Sequence, residues 1–431
     1  MTPHSPKKGI LMPHDEQFAS EHAETAEPAD RAATPTGGAR RRGPSRRGVL
    51  GAAAGAVLGG GALAAAAANA SGSEATARGN GEPLQDARPR AAGPLDLDNT
   101  PDAVGICYSV WHNLAVGPGR PIHDNTEILH AANSTGQPPQ WGPLHAFHHW
   151  GRSERGYYRG DDAGVMRHHF RQLAEARIDF IAIDATNING QPDAGSEDIY
   201  YQPTRVLLEA MRAHRDSGEA TPFVVPWVST RADAADPAAS GLATYDRFYA
   251  SGQWQDLFVQ YRGKPLLLTT DTLPGVLAER FTLRKMWGLQ QQLAEHEWSF
   301  LQEYPQNVGM DGGVAEQVAV CAALQKSYMT DPSAIARRGG RTLQEQWRHA
   351  FSVRPRVTML TWWNEWIAQR FEDEQGNARF VDAYDASLSR DIEPMDPSQP
   401  GSHGDLYYRW TQQYIAAYKD HQPFPEGLVQ A

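Results

Sequence analysis

The stretch GVMRHHFRQLAEARIDFIAID, Gly164–Asp184, decides how the chain is read. Its first part brings Val165, Phe170 and Leu173 broadly to one side of a helix. Its last part, DFIAID, is an apolar run that ends on a carboxylate. An amphipathic helix leading straight into a strand that is apolar on both faces is the repeating unit of a parallel sheet covered by helices.

The same alternation extends in both directions. Strand-like runs are AVGICYSV (Ala103–Val110), LHAFHHW (Leu144–Trp150), DFIAID (Asp179–Asp184), PFVVPWV (Pro222–Val228), PLLLTTD (Pro265–Asp271), RFTLRKMW (Arg280–Trp287), EQVAVCAAL (Glu316–Leu324) and RVTMLTWW (Arg356–Trp363). RVLLEAMRAH (Arg205–His214) and LYYRWTQQYIAAYK (Leu406–Lys419) carry helical spacing. EWSFLQEYPQ (Glu297–Gln306) reads either as a further strand or as a connection. Eight strand–helix units predict the α/β class and a single (β/α)8 barrel over residues 98–424. A doubly wound open sheet is the alternative, but no Gly-rich phosphate turn follows the first strand.

The residues ahead of the barrel read differently. Met1 to Gly43 is polar and has no hydrophobic period, and SRRGVL (Ser45–Leu50) then places Arg46 and Arg47 before the Ala/Gly-rich run Val49–Ala68. The run closes on Ala68-Asn69-Ala70, a small-x-small pattern. Together these residues predict a twin-arginine signal over residues 1–70, cleaved near Ala70, a secreted mature protein and a transient encounter with the twin-arginine export machinery. The run is weakly hydrophobic, so stable membrane insertion is not expected; an uncleaved anchor helix is the alternative. Residues 71–97 have the composition of a disordered linker.

The full chain has 431 residues and a net charge of -11, which argues against a nucleic-acid partner. Its two cysteines, Cys107 and Cys321, lie inside apolar runs and read as buried thiols; a single disulfide is the alternative. No cysteine spacing suits a metal, and no cofactor motif is present. In HAFHHW a strand would put His145 and His149 on one face and His148 on the other, a weak metal pattern, so no metal is expected.

A barrel keeps its site where strands end. Those ends supply Trp111, His149, Asp184 with Asn187, Trp227, Asp271 and Trp363-Asn364-Glu365-Trp366, with Glu303 on the connection before the seventh run. Indoles can stack on sugar C–H faces, while carboxylates and amides bind hydroxyls. Glycoside cleavage needs two carboxyl groups. A Glu enclosed by Trp362, Trp363 and Trp366 would be poorly solvated, which favours the protonated form that a general acid needs. Glu365 is therefore expected as the acid and Asp184 as its partner; the alternatives are a buried Glu bonded to a barrel Arg and an Asp that caps a helix or bonds its loop backbone. Asn364, Trp363, Trp366, His149, Trp111, Trp227, Asn187, Glu303 and Asp271 are expected to bind substrate.

Trp363-Asn364-Glu365-Trp366, Ile392-Glu393-Pro394 and Gly404-Asp405-Leu406-Tyr407-Tyr408 resemble the C-terminal part of glycoside hydrolases of the family 99 and family 71 type. The resemblance implies a (β/α)8 barrel acting on glycans, a catalytic Glu365 and a sugar contact from Asn364. It also exposes a departure. Ala368 stands where family 99 has a second catalytic Glu, and the segment Glu372 to Asp391 is inserted before the Ile-Glu-Pro. The second carboxylate must then come from another strand, with Asp184 favoured, or catalysis is lost. The expectation is an exported glycoside hydrolase of a polysaccharide or oligosaccharide. The alternatives are an inactive carbohydrate-binding barrel and a cofactor-loaded oxidoreductase. Arg390, Asp391 and Glu393 read as a salt-bridged wall of the last loop.

Overall fold

The computed structural model describes residues 93–191, 193–288, 292–329, 333–381 and 385–429. The export signal, most of the linker and Asp382 of the inserted segment lie outside the described residues.

Eight parallel strands follow one another around the sheet in chain order. They are β1 (Ala103–Tyr108), β2 (Phe180–Ala185), β3 (Phe223–Val228), β4 (Lys264–Thr269), β5 (Thr282–Met286), β6 (Glu297–Trp298), β7 (Val314–Cys321) and β8 (Val357–Thr361). β8 returns to β1, with Ala103 opposite Val357 and Ile106 opposite Leu360. β6 and β7 form no ladder. Side chains close that gap: the Gln317 amide takes the Ser299 N–H at 2.6 Å and donates to the Ser299 carbonyl at 3.1 Å. Ser299 Oγ accepts the Ala319 N–H at 2.7 Å. The sheet is thus a nearly closed (β/α)8 barrel. The short strand Gly309–Asp311 runs antiparallel to β7, and a Cβ on Gly309 would lie 2.7 Å from the Glu297 carbonyl oxygen. Only glycine allows that approach.

Between the strands stand α1 (Asn125–Thr135) and α2 (Ala163–Glu175) after β1, α3 (Gln202–Asp216) after β2 and α4 (Ala239–Phe248) after β3. The short α5 (Gly275–Ala278) follows β4, α6 (Arg341–Val353) follows β7 and α7 (Leu406–Lys419) follows β8. α2 starts where the Asp162 carboxylate accepts the N–H groups of Gly164 and Val165 at 2.8 and 3.1 Å. It buries Val165, Phe170 and Leu173, the side expected from their spacing. None of the helices among the described residues is long and apolar enough to cross a membrane.

Inward residues alternate along the strands, as a pleat requires. Ala103 and Cys107, Phe180 and Ala182, Phe223 and Val225, Leu266 and Leu268, and Val357 and Met359 fill the interior. Gly105 has no side chain because the Phe180 ring and the Met359 sulfur occupy its place, 2.3 and 2.8 Å from where a Cβ would sit. Leu97 is fully buried and bridged to the chain before β4 through Gln260, so the fold begins before Asp98, inside the segment expected to be a linker. Cys107 and Cys321 are free, buried thiols. They stand on strands two apart, with Thr361 of β8 opposite Cys321. Strands two apart lie about 9 Å from each other, beyond disulfide reach.

The count of eight strands holds, but one member changes. LHAFHHW is not a barrel strand. Phe147–His149 pairs antiparallel with Ile367–Glu372, which pairs with Ala378–Phe380 in a separate three-stranded sheet. The sixth place in the barrel belongs to Glu297–Trp298 of the ambiguous EWSFLQEYPQ. A two-residue strand carries too little hydrophobic run to stand out, whereas an edge strand of aromatic and imidazole side chains imitates one. The inserted segment supplies one strand of this extra sheet and then returns Arg390 to the barrel.

Candidate active site

Beyond β8 the side chains take turns facing two environments. Trp362 joins the barrel core, where its ring lies 5.9 Å from Trp227 and 6.4 Å from Phe300. Trp363 faces the helical layer, 5.6 Å from His169 of α2 and 5.9 Å from Tyr408 of α7. Asn364 is fully buried and clamps the end of β1, accepting the Ser109 N–H at 2.9 Å and donating to the Ser109 carbonyl at 3.0 Å. Its own carbonyl meets His112 Nε2 at 2.8 Å. Trp366 donates its Nε1–H to Glu393 Oε2 at 2.6 Å. Trp363, Asn364 and Trp366 therefore hold the loop in shape. All three are buried, and the polar groups of Asn364 and Trp366 go to protein partners, which speaks against the expected substrate contacts.

Glu365 turns inward and is 3% exposed. Its carboxylate is bound by the guanidinium of Arg390, which also donates to the Gln325 amide oxygen. The Glu365 N–H donates to Asp391, which in turn takes the Trp150 indole N–H at 2.8 Å and the Ser389 hydroxyl at 2.7 Å. Burial raises the Asp391 carboxyl above its ordinary range, against the pull of these donors. The indoles alone would have favoured a protonated Glu365. A buried guanidinium in contact favours the charged carboxylate instead. The expected acid role thus meets a cation 25 residues downstream, in the inserted segment.

Asp184 follows Phe180 and Ala182 on the inward face of β2 and is 6% exposed. Its Oδ1 accepts the Thr186 N–H and hydroxyl, both at 2.8 Å. Asp184 and Glu365 share a neighbour. Burial first, then the charges of Asp184, Cys321 and Glu365, push the Cys107 thiol well above its ordinary value. Both carboxylates stand at the same end of the barrel, Asp184 at the end of β2 and Glu365 in the loop after β8.

The remaining expected residues scatter. Trp227 stands opposite Asp184 in the β2–β3 register, but its ring is buried against Trp287 at 5.9 Å and Phe300 at 4.9 Å. Trp111 is buried, and its indole N–H meets no protein acceptor. His149 packs on Tyr157 with ring centroids 4.7 Å apart. His148 takes the opposite face of its strand, with Nδ1 2.9 Å from Asn125 Oδ1 and its ring stacked on His123. Asn187 is exposed. Asp271 is exposed and accepts the Ala232 N–H at 3.0 Å, and exposed Glu303 pairs with Lys326. Asp271 thus ties its loop to the one after β3, and Glu303 makes a surface ion pair.

The residues that spacing did not single out are Arg390 as the partner of Glu365, Gln325 behind it, and the aromatic rings of Trp287, Phe300 and Tyr328. Trp287 already stood at a strand end. Tyr328 carried no signal, because it lies in a loop with no period. Among the described residues one acidic and histidine cluster, Glu295, His296 and Asp311, approaches the spacing of a metal site. It lies where β6 and β7 begin, at the other end of the barrel, and Asp311 is bound there by Arg262.

Burial also fixes the imidazoles of this end as neutral. It lowers His112 from 6.5 to about 4 and His148 and His149 from 6.5 to about 3. Between those values the unfolded chain binds more protons than the folded one, so stability rises with pH there. Stability is expected to be intact above pH 6.5 and to fall as the pH drops toward 4. Thermal unfolding across that range checks this, and a midpoint that does not move contradicts it.

No family model matches the chain, and no curated protein matches it. The chain is similar to the solved structure of a GH99 endo-alpha-mannosidase from Bacteroides thetaiotaomicron in complex with Bis-Tris-propane. The identity is 13%, the TM-score 0.47, and the match covers 74% of this chain and 98% of that one. A second structure of the GH99 endo-alpha-mannosidase from this organism matches with 12% identity and the same coverage and TM-score.

Proposed function

We propose that the protein is an exported glycoside hydrolase whose two carboxylates are Glu365 and Asp184. The observation that carries this reading is that both buried carboxylates stand at the outlet end of one barrel, Asp184 at the end of β2 and Glu365 in the loop after β8. Hydrolysis of a glycosidic bond needs one carboxyl group to protonate the leaving oxygen and one carboxylate to attack the anomeric carbon or activate water. Glu365 and Asp184 fill these two roles between them. Export rests on the twin arginines and the Ala/Gly run that follows them.

A second reading is favoured by the same ion pair. Glu365 is engaged and buried, and Ala368, where the resemblance would put a second Glu, is paired with His148 in the extra sheet. A barrel so arranged would bind glycans without cleaving them. Purified protein incubated with a broad polysaccharide panel, with product anomers followed by NMR, separates the two. Release of reducing sugar that survives EDTA is expected. Saturable binding with no turnover would replace the first reading with the second, and neither binding nor turnover would reject both.

A further inference from the structure

We propose that Trp287 and Tyr328 form a stacking platform for a pyranose ring of a neutral glycan, at the end of the barrel that carries the two carboxylates; this rests on the glycan reading above. Trp287 ends β5 and Tyr328 lies on the loop after β7, both at the outlet end of the barrel. Both are only partly buried, unlike the fully enclosed Trp227 and Trp363. Their rings are offset-stacked, with centroids 5.9 Å apart and planes 27° apart. Aromatic faces of this kind take the C–H face of a sugar and leave its hydroxyls to polar neighbours.

The platform is anchored from both carboxylates. Trp287 rests edge-to-face on Trp227, whose register partner is Asp184. Tyr328 is three residues beyond Gln325, which holds the Arg390 that holds Glu365. The two rings therefore stand after β5 and β7, at the same end of the barrel as the two carboxylates. A groove of about 500 Å³ lies over the loops after β6 and β7, lined by Tyr304, Leu324, Ile335, Arg338 and Glu345. Tyr304 is 48% exposed there and adds a further aromatic face. The carboxylates at this end and the chain's net charge of -11 disfavour a polyanionic glycan.

The test is calorimetric titration of the full chain with cellohexaose, laminarihexaose and mannohexaose, with tetragalacturonate as the anionic comparator. The wild type is expected to bind at least one neutral probe and to ignore the uronate. Trp287→Ala and Tyr328→Ala are each expected to weaken binding about tenfold, and Trp287→Phe to restore most of it. Circular dichroism melting shows whether each variant is folded. The two alanine variants act on different elements, so either alone can carry the result. Unchanged affinity in both overturns the platform and leaves the glycan reading standing. Preference for the uronate overturns the neutral class. A wild type that neither binds these probes nor acts on the polysaccharide panel overturns the function and the platform together.

Discussion

Glu365→Gln is expected to lower the release of reducing sugar about a thousandfold or more, since one of the two reacting carboxyl groups becomes a neutral amide of nearly equal volume. The same change leaves Arg390 buried beside an uncharged group. Arg390→Met has the converse effect and leaves a buried carboxylate without its cation. Breaking a buried pair by removing one partner costs about 3–5 kcal/mol, whereas replacing both partners is often neutral. The double variant Glu365→Gln/Arg390→Met should therefore be more stable than Arg390→Met alone, yet remain inactive. Thermal unfolding and kcat/KM measured on the three variants separate the two contributions. Full activity in folded Glu365→Gln would remove Glu365 from the chemistry. Wild-type stability in Arg390→Met would show that the pair does not hold the loop.

The second large effect concerns Glu393, which sequence reading treated as part of a salt-bridged wall. It is fully buried and makes no pair with Arg or Lys among the described residues. Its carboxylate takes the Ser153 hydroxyl, the Tyr158 hydroxyl at 2.6 Å, the Trp366 indole N–H at 2.6 Å and His169 Nε2 at 3.0 Å. Tyr108 extends the network, with its hydroxyl 2.8 Å from His169 Nδ1. The segment after β8 is thereby tied to α2 and to the loop before it. Burial raises the Glu393 carboxyl, but His169 and the hydroxyl donors outweigh it, and the group lies below its ordinary range.

Glu393→Ala would strand these donors in a dry interior, and a loss of about 3–5 kcal/mol is expected, which is a drop in Tm of about 10 °C for a domain of this size. Because the folded value is depressed, the stabilisation is complete above the ordinary Glu range and is lost as the pH falls through the folded value. Glu393→Gln should therefore flatten part of the acid limb of the stability profile. A variant that melts with the wild type would contradict the network.

The wall was half legible for a physical reason. Acidic and basic residues crowded into one loop signal mutual pairing, and nothing local tells which of them reach further. Arg390 reaches Glu365, Asp391 reaches a backbone N–H and the Trp150 indole, and Glu393 reaches α2. The tryptophans of the WNEW stretch posed the same difficulty. Their spacing located the site but not the side each indole would face, since the regular alternation of β8 ends where the loop begins.

The amino-acid sequence alone determined the barrel, the end of it that carries the polar residues, and Glu365 and Asp184 as the acids to consider. Those properties follow from short apolar runs and from where each run stops, which neighbouring residues encode. The tertiary structure alone decided which strand completes the ring, that Asn364 and two of the indoles serve the loop, and that Glu365 meets a cation. Each of these depends on groups brought together from distant parts of the chain, and charge in a dry interior is set by what lies within a few ångströms, whatever its distance along the sequence.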